Sequence, residues 1–190
     1  MDKKTRNLIL LMAVILAVLV GASFLYGYLS PKVVPNNMLP ASSAQSTGEN
    51  GGTVPDFTVY DKDGNEVKLS DYFGKPIVLN FWASWCGPCK NEMPEFNEVW
   101  EELEGEVVFL MVNVTDGYQE TVASASSYVE SKGYTFPVFY DTSLAAAMTY
   151  QAYSLPTTYF IDADGVGQAK ATGSIDKATL LQGIELIYTP

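Results

Sequence analysis

Histidine is absent from the chain. That excludes Ser-His and Cys-His nucleophilic catalysis and any histidine-ligated metal or haem. Cysteine is scarce: Cys86 and Cys89 are the only two. Zinc takes three or four protein ligands, so this pair supplies at most half a site. Positive charge is scarce as well. Eleven Lys and Arg residues stand against 22 Asp and Glu, a formal net charge of −11. Lys3, Lys4 and Arg6 crowd the N-terminus, and Arg6 is the only arginine. The acidic remainder argues against nucleic acid or an anionic membrane surface as a partner, and its plainest role is to keep a domain soluble. Apolar residues are plentiful, 47% of the 190. That is enough for one domain with a sizeable core, plus extra segments.

Both cysteines lie in one stretch, Asn80-Phe81-Trp82-Ala83-Ser84-Trp85-Cys86-Gly87-Pro88-Cys89-Lys90-Asn91-Glu92-Met93-Pro94. Ahead of them, Pro76 to Trp82 has the length and composition of a buried parallel strand. After them, Met93, Phe96, Val99, Trp100 and Leu103 recur at helical spacing. The cysteines therefore sit where a strand ends and a helix begins. The first helical turn has unpaired N–H groups and the positive end of the macrodipole. A thiolate is stabilised there, so the pKa of Cys86 is predicted to fall below that of a free thiol. Pro88 falls in the same turn, where its missing N–H costs nothing. Cys86 is then the exposed nucleophile, and Cys89 the thiol that resolves a mixed disulfide. Three plainer readings compete: a structural disulfide, half of a zinc site, or two inert buried thiols. Closing so small a ring stabilises a fold by only roughly 2 kcal/mol. Trp85 and the strand-to-helix setting favour a redox pair.

Along the chain, Leu8 to Leu29 is almost wholly apolar and uncharged. That length suits a helix crossing a bilayer. The charges before it keep residues 1–7 in the cytoplasm and send the rest outward, and Tyr26 and Tyr28 fall where an interfacial belt lies. A cleaved signal peptide is the competing reading, with Val20-Gly21-Ala22 as a cleavage site, although the apolar run continues through Phe24-Leu25-Tyr26. Residues 30–53, rich in Pro, Asn, Ser, Gly and Ala, read as a flexible tether spanning on the order of 25 Å. Residues 54–190 alternate between strand and helix. Strands are predicted over 54–60, 66–69, 76–82, 106–114 and 136–140, with a hairpin of 157–161 and 167–172 around Asp164-Gly165. A turn is predicted at 61–64 and a helical turn at 70–74. Helices are predicted from the cysteines to about Leu103, kinked at Pro94, and over 119–132, 142–150 and 176–188. Val122, Ala125, Tyr128 and Val129 share one face of the second of these. The alternation implies an α/β domain.

Trp85-Cys86-Gly87-Pro88-Cys89-Lys90 resembles the active site of thioredoxins. The longer string, with Glu92-Met93-Pro94, resembles the TlpA/ResA branch of membrane-tethered extracytoplasmic thiol-disulfide oxidoreductases. Two further stretches agree. One is Ser154-Leu155-Pro156-Thr157-Thr158-Tyr159-Phe160-Ile161-Asp162. The other is Asp56-Phe57-Thr58-Val59 with Asp63-Gly64 and Leu69-Ser70-Asp71, similar to the opening of redoxin (AhpC/TSA-like) domains. The likeness spans about Val54 to Leu186. It implies a thioredoxin fold: a central mixed sheet flanked by helices, with an N-terminal β-hairpin extension, after one transmembrane helix.

The resemblance also implies site residues. Cys86, Cys89 and Glu92 are the implied catalytic set, and Trp85, Gly87, Pro88, Leu155 and Pro156 the implied substrate contacts. Pro156 corresponds to a cis-proline against the disulfide, leaving Leu155 to pair with a substrate strand; an ordinary trans-proline at a strand start is the alternative. In thioredoxins a buried aspartate six residues before the first cysteine assists the resolving thiol. Here that residue is Asn80, which takes no proton. The TlpA/ResA pattern has a glutamate at the Glu92 position instead, which accepts the Cys89 proton if burial raises its pKa. The alternative is a solvated glutamate like Glu95 or Glu98. Trp82 is expected in the core, Trp85 on the rim and Lys90 in solvent. Asp116, Tyr118 and Glu120 follow a strand end, where ligands often bind in α/β sheets.

The function implied is that of a single-pass cell-membrane protein, a monomer with its catalytic domain outside the cytoplasm. It reduces disulfides in exported proteins, apocytochrome c among them, and is recharged by a membrane electron donor of the CcdA/DsbD type. No cofactor, metal or nucleic acid is expected. The alternatives are a disulfide-donating oxidase and a non-enzymatic binder of exported cysteine proteins. A thiol peroxidase, which the fold also permits, lacks a peroxide-polarising arginine, since none follows Arg6.

Overall fold

The computed structural model describes residues 53–103 and 105–189, the strand Met38–Pro40 and isolated positions nearer the N-terminus. The chain divides into Met1–Val34 and Pro35–Pro190, and every element below belongs to the second unit. In chain order these are β1 (Met38–Pro40), β2 (Thr58–Tyr60), β3 (Glu66–Lys68), a 3-10 turn (Leu69–Tyr72), β4 (Ile77–Trp82), α1 (Gly87–Leu103), β5 (Val108–Asn113), α2 (Val122–Lys132), β6 (Val138–Tyr140), α3 (Ala145–Thr149), β7 (Thr157–Ile161), β8 (Gly167–Thr172) and α4 (Lys177–Glu185).

One eight-stranded sheet runs β1-β8-β7-β4-β5-β6-β2-β3. β4, β5 and β6 are parallel. β7 lies antiparallel to β4, with Phe81 opposite Thr157. β2 and β3 form the hairpin extension and join the sheet where Tyr60 meets Tyr140.

Side-chain alternation splits each central strand between two cores. Val78 and Trp82 of β4 pack with Phe109 and Met111 of β5, beneath Phe96 of α1 and Leu180 of α4. Ile77, Leu79 and Phe81 face the other way, with Leu110 and Val112, against Phe57, Leu69, Ala146 and Tyr150. Gly183 lets α4 lie close on the sheet: a Cβ there would stand 2.2 Å from the Phe160 ring. This seating fixes the segment just ahead of α4, which reaches the site described below.

Several expectations change. The tether read over 30–53 contains β1, whose Met38 pairs with Ala171 on the free edge of β8. β8 otherwise presents unpaired edge groups, and even three residues satisfy part of that edge. Val122 does not join the buried face of α2; it is 39% exposed, and Ala125 carries the burial. The predicted span 8–29 lies, apart from isolated positions, outside the described residues. Among the described residues no helix is long and apolar enough to cross a membrane.

Candidate active site

β4 ends at Trp82, and Ala83 to Cys86 form a turn closed by the Cys86 N–H on the Ala83 carbonyl at 3.2 Å. The Cys86 carbonyl then accepts the first helical bond, from Lys90 N–H at 3.1 Å. Cys86 thus stands at the N-cap of α1. Its Sγ accepts the Cys89 N–H at 3.2 Å, as a capping oxygen of Ser or Asp would. A negative charge on this sulfur is favoured by that amide and by the helix dipole. Cys86 and Cys89 are joined by a disulfide, their Cα atoms 5.3 Å apart. Cys86 is 4% exposed and Cys89 fully buried. An incoming group therefore meets Cys86 first.

One turn beyond Cys89 lies Glu92, only 1% exposed. Its Oε1 accepts from Asn80 Nδ2 at 2.9 Å, and its Oε2 from Ile175 N–H at 3.0 Å. Desolvation pushes the Glu92 carboxyl up to about 8, outweighing the lowering effect of these two hydrogen bonds. Asn80 lies on β4 with Val78 and Trp82, on the face that α1 covers. It also donates to Thr158 Oγ1 at 2.9 Å. Asn80, six residues before Cys86, therefore links Glu92 to Thr158 across the buried face.

β7 brings the other implied residues to the same end of the sheet. Since Phe81 faces Thr157, Leu155 and Pro156 flank the end of β4 from which the cysteines emerge. The Leu155–Pro156 bond is cis. Pro156 is buried and Leu155 half-buried, packed against the cluster that contains Cys86 and Cys89. Gly87 and Pro88 are exposed, and Trp85 is 48% exposed, whereas Trp82 is fully buried. Lys90 is exposed, with its Nζ 5.5 Å from the centre of the Tyr128 ring.

In the loop after β5, Asp116 and Glu120 are engaged in hydrogen bonds within the protein. Asp116 Oδ1 accepts the N–H groups of Tyr118, Gln119 and Glu120 at 2.7–2.9 Å. Those bonds hold its pKa below the usual range. Tyr118 projects into solvent. Glu120 is fully buried and accepts from the N–H and Oγ of Ser84 and from Ser124 Oγ. It ties this loop to the turn that presents Cys86. Among the described residues no group of three or more His, Cys, Asp or Glu is placed to hold a metal ion.

Sequence reasoning missed the task of Ile175 and treated Asn80 and Glu120 by analogy. Asn80 leaves a signal: it is the one polar residue in Ile77-Val78-Leu79-Asn80-Phe81-Trp82, and a polar group in a fully buried strand needs a partner. Ile175 acts through its backbone, which leaves no mark on residue type.

Residues 51–169 match the AhpC/TSA family. The chain is 33% identical over 186 residues to the thiol-disulfide oxidoreductase ResA of Geobacillus kaustophilus, covering 97% of this chain and 98% of that protein. It is 31% identical over 151 residues to the thioredoxin-like protein YneN of Bacillus subtilis, covering 79% of this chain and 88% of that one. Among solved structures it resembles the exposed lipoprotein thioredoxin Etrx1 of Streptococcus pneumoniae, with a TM-score of 0.61 at 33% identity over 69% of this chain and 98% of that one. A thioredoxin-like sheet that carries a paired Cys86–Cys89, together with these likenesses, makes the chain a member of the AhpC/TSA family and a thiol-disulfide oxidoreductase of the ResA type.

Proposed function

We propose that the protein is a membrane-anchored disulfide reductase working outside the cytoplasm on exported proteins. The observation that carries the proton chemistry is the buried Glu92 carboxyl, one helical turn from Cys89, with its pKa pushed up to about 8. Reduced Cys86 attacks a substrate disulfide as a thiolate. One substrate sulfur leaves and takes a proton from solvent, and the other becomes bonded to Cys86. Glu92 accepts the Cys89 proton, and the Cys89 thiolate attacks the Cys86 sulfur. The Cys86–Cys89 bond forms, the bond to substrate breaks, and the second substrate thiolate leaves. Two electrons pass from the dithiol to the substrate.

Trp85, Gly87 and Pro88 offer an exposed rim, and Leu155 beside Pro156 an edge for an extended substrate segment. The apolar run 8–29 and the preceding charges support an anchor with the domain outside. Export separates the pair from cytoplasmic reductants, so a membrane donor of the CcdA/DsbD type must return it to the dithiol. Apocytochrome c fits as a substrate because its exported cysteines must be reduced.

An impermeant maleimide added to intact cells tests this reading. The expected result is labelling of Cys86 without lysis or added reductant, because the pair is outside and kept reduced. Labelling only after lysis would place the domain in the cytoplasm. A pair resistant until a reductant is added would make the protein a disulfide donor.

A further inference from the structure

Glu92 has no route of its own to water. It is 1% exposed, and its carboxyl oxygens are held by Asn80 on β4 and by the Ile175 amide. Yet Ile175 also lines a cleft of about 380 Å³, together with Asn91, Glu95, Ser174, Asp176 and Thr179. One residue thus both lines the cleft and bonds Glu92. Glu95 lies one turn further along α1, on the same face as Glu92. Its Oε2 is buried and has no hydrogen-bond partner among the described residues. Polar spaces of this size hold water, which bridges groups that lack partners.

We infer that Glu95 and the cleft it lines form the proton path between Glu92 and solvent. The inference rests on the reading of Glu92 as the proton acceptor of Cys89. Near neutral pH Glu92 mostly keeps its own proton, because burial pushes its carboxyl up to about 8. In that state the Cys89 proton has nowhere to go. The Glu92 proton must leave first, through Glu95 and the cleft to solvent. Cys89 then passes its own proton to Glu92 and attacks. Glu95 acts through Glu92 and never meets the sulfurs, so it is a positioning residue for the proton.

The groups around the path fit this role. On α1, Glu98 and Glu102 are both bound to Lys177 at 2.8 Å, which occupies the nearest cation of α4. Asp176 caps α4 through Thr179 N–H at 2.9 Å, and hydrogen bonding from Thr179, its side chain first and its N–H second, holds the Asp176 pKa low. The negative charge of Glu95 is felt by Glu92 and favours its protonated form.

The test follows both steps in stopped flow, with the reduced full-length protein and an aromatic disulfide. Release of the first aromatic thiol reports attack by Cys86; release of the second reports resolution by Cys89. In dilute buffer at pH 7, Glu95→Gln is expected to slow the second release about tenfold, leaving the first unchanged. Added imidazole, a small proton carrier, is expected to restore it, and Glu95→Asp to retain most of the rate. A wild-type second release in Glu95→Gln would overturn the inference. So would a slow release that imidazole leaves unchanged, since that marks a structural effect. Glu92→Gln separates the two readings. If it slows resolution while Glu95→Gln does not, only the proton path fails. If it resolves at the wild-type rate, the role of Glu92 fails, and the path with it.

Discussion

Cys89→Ala is expected to end turnover and to leave substrate covalently bound to Cys86. The two sulfurs differ in access. Cys86 is 4% exposed at the N-cap of α1, whereas Cys89 is fully buried one turn inside. A substrate disulfide therefore meets Cys86, and the mixed disulfide it forms has only Cys89 to resolve it. Without Cys89 the adduct accumulates, and a non-reducing gel reads it as a mass increase that dithiothreitol removes. Cys86→Ala is expected to trap nothing, because the remaining thiol is out of reach. Equal trapping by both variants would contradict this division of roles. Absence of any adduct, with client binding unchanged after loss of both thiols, would favour a non-enzymatic binder. Either variant also loses the cross-link, at a cost of roughly 2 kcal/mol. That loss is too small to explain complete inactivity in a folded domain.

Glu92→Gln has the second largest expected effect, and it appears in both rate and stability. Loss of a positioned general base slows resolution about 100-fold. In the wild type, the resolution rate is expected to rise with pH and level off near the Glu92 pKa of about 8. In the variant that rise is lost. The stability effect follows from proton linkage. The folded protein holds the Glu92 proton up to about pH 8, while the ordinary value is 4.5. Between those values the folded state binds more protons than the unfolded one, so its stability falls as pH rises. The contribution is fully present below 4.5 and fully lost above about 8. Each pH unit in that window costs up to about 1.4 kcal/mol. Urea unfolding of the oxidised domain at pH 5 and pH 8 is expected to show a steeper loss in wild type than in Glu92→Gln. At pH 8 the variant is expected to be the more stable of the two. The Gln amide needs an acceptor, and Asn80 Oδ1, which has no partner among the described residues, supplies one if that side chain turns. The same pH dependence in both proteins would mean that Glu92 is not the group responsible.

The domain's elements were legible because its signals are local. The apolar run ahead of Cys86, the helical spacing from Met93 to Leu103 and the Asp164-Gly165 turn each lie within a few residues of the element they specify. The cysteine pair was legible for the same reason. The burial of Glu92 was not. Glu92, Glu95 and Glu98 look alike along α1, and only the docking of that helix on β4 and of α4 beside it sends one carboxyl inside. Its partners come from Asn80 and from Ile175, 83 residues away. Glu120 posed the same difficulty: its partner Ser84 lies 36 residues back, across a strand crossing. β1 was missed because Met38-Leu39-Pro40 has no strand-like length of its own and exists by pairing with Ala169 to Ala171.

The reduction potential of Cys86–Cys89 tests the central claim most directly. The domain from about residue 35 onward is equilibrated with glutathione or dithiothreitol buffers, and the dithiol fraction is read by thiol labelling. Gly-Pro between the cysteines is shared with thioredoxin, so the expected potential lies near or below about −270 mV, and the protein then reduces its clients. A value near that of DsbA, about −120 mV, would contradict the reductase reading and make the protein a donor of disulfides.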